Sequence, residues 1–298
     1  MTHRKAPRPA AAAGFYKAHG LGNDYLVFEE GDAWSLTPAA VRLVCDRFRG
    51  PGGDGIVLLL RGVSGEAPRL RMFNPDGSEF ERSGNGLRIL ASYLARRARV
   101  DTRPFEVEVG GDQVTLTVHS TRGPLHDVSV DMGRARVGPA AVGLDPSVLD
   151  SRGRLPGPGG EPLDVVPVSV GSPHLVVLTE AMDDDALRRI GPFLTAHPAL
   201  AAGANVQLAR VVGPGACRAL IWERGVGRTS ASGTSSCAVA VAAVSRGLLP
   251  AGAVTIHMDG GELQVEVSSA LDVVLRGPVE EVFEGVLTKG FVGALPDR

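Results

Sequence analysis

Two serines stand where chemistry could begin. Ser83 opens Ser83-Gly84-Asn85-Gly86, and Ser232 opens Ser232-Gly233-Thr234-Ser235, half a chain length away. Each follows a β-patterned stretch and a Gly-bearing turn. Each precedes an apolar run, Leu87–Leu94 in the first case and Ser236–Val244 in the second. A helix that starts directly after such a turn leaves its first backbone N–H groups without partners. Those donors and the aligned peptide dipoles favour negative charge at that end. Two ends built alike suggest a duplicated module closing on one anionic ligand, a carboxylate being the simplest. Helix capping by itself also explains a serine at either turn, because its oxygen accepts from the N2 or N3 amide.

Other residues carry paired readings. His174 lies in Gly171-Ser172-Pro173-His174, just before a strand, where a histidine commonly packs or hydrogen-bonds. Glu223 and Arg224 end a strand before a glycine turn, and their plain reading is a rim ion pair of little energy. Asn23 and Asp24, and likewise Asn74 and Asp76, suit turns. Gly50-Pro-Gly52-Gly-Asp-Gly55 has dinucleotide-site spacing, but it follows a helix and opens a strand, the reverse of that fingerprint. It reads as a structural turn.

The elements that must position these groups are short. Strand patterns cover 25–29, 55–60, 70–73, 105–109, 114–119 and 127–132, then 165–170, 175–179, 206–212, 218–223, 254–258, 262–267 and 272–276. Helical patterns cover 38–47, 87–97, 184–196 and 236–247. The stretch 138–164, rich in Pro and Gly, reads as a linker. The class is therefore α+β: two similar domains, each a mostly antiparallel sheet with helices, and a site in the crevice between them. Residues 1–14 read as a disordered tail without the apolar core of a signal peptide.

Composition narrows the function. The 298 residues are 44% hydrophobic and 21% charged, as in globular proteins. A net charge of −2 gives no footprint for nucleic acid or an anionic membrane. Cys45, Cys217 and Cys237 have no metal spacing and leave an odd count, which fits a reducing cytoplasm. No apolar stretch approaches a membrane span, and no metal or organic cofactor is implied.

The ordered motifs His19-Gly-Leu-Gly-Asn-Asp-Tyr25, Cys45-Asp-Arg, Gly52-Gly-Asp-Gly55, Phe73-Asn-Pro-Asp-Gly-Ser78, Gly84-Asn-Gly-Leu-Arg88, Pro173-His174, Asn205-Val206, Glu223-Arg-Gly-Val-Gly227 and Gly233-Thr234 resemble the diaminopimelate epimerase family. The resemblance runs from about Phe15 to about Phe291. It implies two pseudo-symmetric domains, 15–126 plus 278–298 and 127–277, and inversion at an amino-acid α-carbon without PLP. It places that reaction in the pathway to lysine and the cell-wall diaminoacid, and it implies a homodimer. Contacts to the α-carboxylate and α-amino groups would fall on Asn23, Gly84, Asn85, Gly233 and Thr234. The distal amino-carboxylate would fall on Asn74, Asn205, Glu223 and Arg224, while a further distal asparagine of the family is Ser172 here.

The resemblance also implies two cysteines, a thiolate base and a thiol acid, at the positions of Ser83 and Ser232. A serine hydroxyl resembles water, pKa about 15.7, against about 8.5 for a thiol. The gap of roughly 7 units is about 10 kcal/mol, and a helix end returns at most about 2 kcal/mol. An unassisted serine pair therefore cannot match a cysteine pair. Three outcomes follow. His174 and Glu223 could relay protons for the serines. A one-base elimination or isomerisation could replace epimerisation. Or the domains could bind an amino acid without turning it over. Serines introduced by design to trap a ligand are a fourth.

Overall fold

The computed structural model describes residues 13–31, 34–62, 66–80 and 82–296. Of the expected tail, 1–12 lie outside the described residues; Ala13 is buried and Gly14 opens the first strand. The chain forms two compact units: one of the described residues up to Val128 and from Val279 on, the other spanning Ser129–Pro278. Its helices are α1 (Pro38–Cys45), α2 (Gly84–Arg96), α3 (Pro139–Val142), α4 (Asp184–Thr195), α5 (Gly233–Ser245) and α6 (Lys289–Gly293).

The first unit begins with a hairpin of Gly14–Gly20 and Asn23–Glu29. Leu21 and Gly22 turn it with φ of 52° and 90°, the left-handed pair that matches strand twist. After α1, Gly55–Leu59 pairs parallel with Asn23–Glu29, and Arg69–Phe73 pairs antiparallel with Gly55–Leu59. Short Glu79–Phe80 folds back on Arg69–Phe73 and delivers the chain to α2. Phe105–Val109 then pairs parallel with Arg69–Phe73, and Asp112–Arg122 closes antiparallel.

The second unit repeats that order element for element. Val165–Ser169 and Pro173–Leu178 are antiparallel, and α4 leads to Asn205–Gly213, parallel to Pro173–Leu178. Ala216–Glu223 and short Gly227–Thr229 follow antiparallel and deliver the chain to α5. Gly252–Met258 pairs parallel with Ala216–Glu223, and Gly261–Val267 closes antiparallel. Each sheet is thus mixed, with antiparallel pairs in the majority.

Both central helices have 13 residues and are enclosed. Every residue of α2 from Gly84 to Leu94 is buried. Leu87, Ile89 and Leu90 are fully excluded from water, each contributing about 2 kcal/mol by burial. In α5 the apolar residues run all round, as a buried helix requires, and Ser235 to Ala243 are buried. Its alanines let the surrounding backbone approach closely.

The linker expected over 138–164 is not one. The segment lies inside the second unit, where Val142, Leu144, Leu155 and Leu163 join the core with Leu187, Ile190 and Val206. Its Pro and Gly shape α3 and a small hairpin, Leu155–Pro156 with Pro162–Leu163. Besides short strands such as Glu79–Phe80 and Gly227–Thr229, two longer features were absent from the strand patterns. The first strand, Gly14–Gly20, lacked a turn signal before it. The last strand runs to Val286, ten residues beyond the expected end, and pairs with Gly14–Gly20.

Candidate active site

At the start of α2, Ser83 is the N-cap, in extended conformation, and its Oγ accepts from the Gly86 amide at 3.1 Å. The Leu87 amide returns to the Ser83 carbonyl at 2.9 Å. Gly84 and Asn85 N–H, the first two of the helix, are left with no intrahelical acceptor. Asn85 Nδ2 donates to Asn23 Oδ1 at 2.9 Å, and Asn23 Nδ2 donates to Asp54 Oδ2 at 3.0 Å. The strand register that ends the first hairpin (Gly20 opposite Asn23) thus brings Asn23 to the helix end.

Beneath these amides lies a charged network. Asp24 is buried between Lys17, 2.9 Å away, and Arg47, 2.6 Å away, and Arg47 also reaches Asp54 at 2.7 Å. Burial raises the Asp24 carboxyl, but Arg47 and Lys17 outweigh it and hold the pKa at about 2. Lys17 also donates to the Gly52 carbonyl at 2.8 Å. The glycine loop is structural, as its position in the sequence indicates. A Cβ on Gly55 would lie 2.5 Å from the Tyr25 ring and 2.7 Å from the Phe73 carbonyl oxygen.

The start of α5 repeats the design. Ser232, buried, caps with its Oγ accepting from Ser235 N at 3.4 Å, and Ser236 N returns to the Ser232 carbonyl at 3.1 Å. Gly233 and Thr234 N–H occupy the places of Gly84 and Asn85 N–H. Under this turn sits a buried polar chain. Gln207 Nε2 donates to Ser235 Oγ at 3.0 Å and to His174 Nδ1 at 3.1 Å. With Nδ1 accepting, the ring proton is on Nε2, which donates to Ser172 Oγ at 3.0 Å.

His174 is fully buried, and burial pushes its pKa down to about 3. Both ring nitrogens are engaged, so neither is left for the direct bond to Ser232 that the expected relay requires. Gln207 and Ser235 lie between them.

The other sequence candidates fall at strand ends and turns. Asn205 opens its strand opposite His174, accepts from Arg224 N at 3.0 Å and donates to the Pro173 carbonyl at 3.4 Å. The exposed Arg224 guanidinium donates to the Ala202 carbonyl at 2.5 Å. Glu223 is half-buried and ends its strand opposite Gly227. Asn74 is bound within its own turn, its Nδ2 donating to Ser78 Oγ at 3.0 Å.

Cys45, Cys217 and Cys237 are buried and form no disulfide, on α1, a strand and α5. Burial pushes the first two thiols up to about 12 and about 11. They cannot supply a thiolate near neutral pH. Among the described residues no cluster of His, Cys, Asp or Glu could hold a metal, and no helix is long and apolar enough to cross a membrane. A cavity of about 850 Å³ in the first unit, lined by Trp34, Tyr93 and Arg97, lies toward the other end of α2 and holds none of the candidate residues. Sequence reasoning assigned no role to Asp54, Arg88 and Gln207. The first two stood inside quoted motifs, whereas Gln207 carried no signal.

Comparison with known proteins places this arrangement. A hydroxyproline epimerase from Agrobacterium vitis, solved with trans-4-hydroxy-L-proline bound, superposes with a TM-score of 0.67 at 15% identity, over 92% of this chain and 90% of that one. That likeness defines the class of fold: the two-unit epimerase-like α+β architecture. The diaminopimelate epimerase family model matches residues 15–138 and 166–282. The diaminopimelate epimerase of Desulforudis audaxviator is 41% identical over 274 residues, covering 91% of this chain and 98% of the relative. That of Pelotomaculum thermopropionicum is 36% identical, covering 91% and 97%. The chain belongs to the diaminopimelate epimerase family.

Proposed function

We propose that this chain is a PLP-independent isomerase that inverts the α-carbon of diaminopimelate or a closely related amino acid, in the supply of lysine and the cell-wall diaminoacid. The observation that carries the reading, beside family membership, is the repeated helix start: Ser83 and Ser232 cap α2 and α5 through the same N3 amide, each leaving two amides for a carboxylate. Removing the α-proton moves charge onto that carboxylate, and fixed N–H donors stabilise it as it develops. In this reading Gly84, Asn85, Gly233 and Thr234, with Asn23, hold the α-carboxylate and α-amino groups. Asn74, Asn205, Glu223 and Arg224 meet the distal group. Ser83 and Ser232 face opposite sides of the carbon: the alkoxide of one, formed by loss of its hydroxyl proton to solvent, takes the α-proton, while the hydroxyl of the other returns one. His174 acts through Gln207 and Ser235 rather than by touching Ser232. The reading also carries a homodimer and a cytoplasmic setting, which three cysteines outside any disulfide suit.

The test is α-proton exchange by ¹H NMR in deuterated buffer with LL- and meso-diaminopimelate and a panel of L- and D-amino acids. The expected result is loss of the α-proton signal together with interconversion of stereoisomers. Ligand-induced shifts without exchange would overturn the assignment and leave a binding protein.

A further inference from the structure

A continuous run of hydrogen bonds crosses the start of α2, and its two ends have fixed polarity. Arg88, completely buried on α2, donates through Nη2 to Asn85 Oδ1. Asn85 Nδ2 donates to Asn23 Oδ1, and Asn23 Nδ2 donates to Asp54 Oδ2. A guanidinium is a donor only, and an ionised carboxylate is an acceptor only. The two asparagine amides between them are ambiguous by chemistry, each able to turn over and exchange N–H for oxygen. The ends remove that freedom. Arg88 compels Asn85 to present oxygen, so Asn85 must present N–H to Asn23. Asn23 must then present oxygen to Asn85 and N–H to Asp54.

We infer that Arg88 and Asp54 are positioning residues that set the amide polarity of Asn23 and Asn85, so that each asparagine keeps one side-chain N–H for an anionic ligand group. The inference rests on the proposed function for the identity of that group, a carboxylate. The packing agrees with a fixed arrangement. A Cβ on Gly20 would stand 3.0 Å from Arg88 Nη2 and 3.2 Å from Asn85 Oδ1, so the guanidinium and amide are pressed against the hairpin backbone. Asp54 is held in turn by Arg47 at 2.7 Å and by the Asp24 amide at 3.1 Å. Were either asparagine turned over, two oxygens or two N–H groups would face one another in a largely buried place. A carbonyl oxygen would then meet the incoming carboxylate.

The test separates polarity from mere packing. Asp54→Asn keeps size and hydrogen bonding but loses fixed polarity; Arg88→Gln is shorter and can likewise donate or accept, whereas Arg88→Lys remains a donor only. In ¹⁵N-labelled protein the expected result is that Asp54→Asn shifts the side-chain amide resonances of Asn85, a residue it does not touch, as well as those of Asn23. This readout needs no substrate, so it stands even if the proposed function fails. Steady-state exchange of meso-diaminopimelate should show KM raised roughly tenfold or more in Asp54→Asn and Arg88→Gln, with kcat changed less. Arg88→Lys should restore KM to within about threefold. Should Arg88→Gln fail to fold, Asp54→Asn still decides, since its site is partly exposed. An unmoved Asn85 resonance in Asp54→Asn, or an unchanged KM in an active enzyme, overturns the inference.

Discussion

Placing thiols at the two helix starts tests the chemical reasoning most directly. In Ser83→Cys/Ser232→Cys the oxygen acceptors of Gly86 N and Ser235 N are lost. A cap of this kind is worth about 1 kcal/mol. The 3.1 Å bond at Ser83 should matter more than the 3.4 Å bond at Ser232. For a protein of this size each kcal/mol is roughly 2–4 °C in Tm, so the double variant should melt a few degrees lower. The kinetic change runs the other way. Near pH 8 a thiol yields its anion about 7 units more readily than a hydroxyl, and the same helix end favours either anion. A thiolate is a weaker base than an alkoxide. With a Brønsted slope of about one half, that returns some 3.5 units. The net expectation is a gain of about three orders of magnitude in α-proton exchange, near 5 kcal/mol. The assay is the exchange of meso-diaminopimelate followed by ¹H NMR, parent against double variant, with differential scanning calorimetry on both. A folded double variant less than tenfold faster than the parent would refute the assignment of these positions as acid and base.

Three further outcomes follow from the structure. His174 is held neutral to about pH 3 by burial, whereas the unfolded imidazole protonates near 6.5. Stability should therefore fall by about 1.4 kcal/mol per pH unit as pH drops from about 6.5 toward 3. Urea midpoints at pH 7, 5.5 and 4.5 should show that slope reduced in His174→Asn, and an equal slope in both proteins would contradict it. Gly55→Ala places a methyl against the Tyr25 ring and the Phe73 carbonyl, and should destabilise by 1–3 kcal/mol with no nucleotide dependence. Thermal melts with and without NAD check both parts. Arg224→Ala should weaken binding of a diacid but not of a simple amino acid, measured by calorimetric titration. Equal affinity for both ligands before and after would remove Arg224 from the distal site.

Much of this was legible in residue order because the signals were local. Alternating apolar residues marked 105–109 and 254–258, and an apolar run behind a Ser-Gly turn marked α2 and α5 as helices with open N-termini. The failures were of another kind. Leu144, Leu155 and Leu163 sit among Pro and Gly with no period, and only the packed core shows that their segment belongs to the second unit. The long last strand is specified by Gly14–Gly20, its partner at the far end of the sequence, which no local window contains. At the site, the residues that touch a ligand in the proposed reading lay in short motifs. Their supports, such as Gln207 beneath His174, are chosen by contacts across strands and leave no spacing to read.

The strand Asp272–Val286 bears on how the protein is made. Residues 129–278 are contiguous, so the second unit can close as soon as its own chain has been synthesised. The first unit cannot. Its opening strand pairs at once with Asn23–Glu29 but finds its second partner only in residues 280–286, and its core takes Leu287 and Leu295. During synthesis the earlier-made half must therefore wait, with Phe15, Phe28 and the edge of Gly14–Gly20 uncovered, until the later half has emerged. The usual vectorial order, N-terminal domain first, is inverted here. In that interval, rather than in the finished molecule, its apolar residues stand open to solvent.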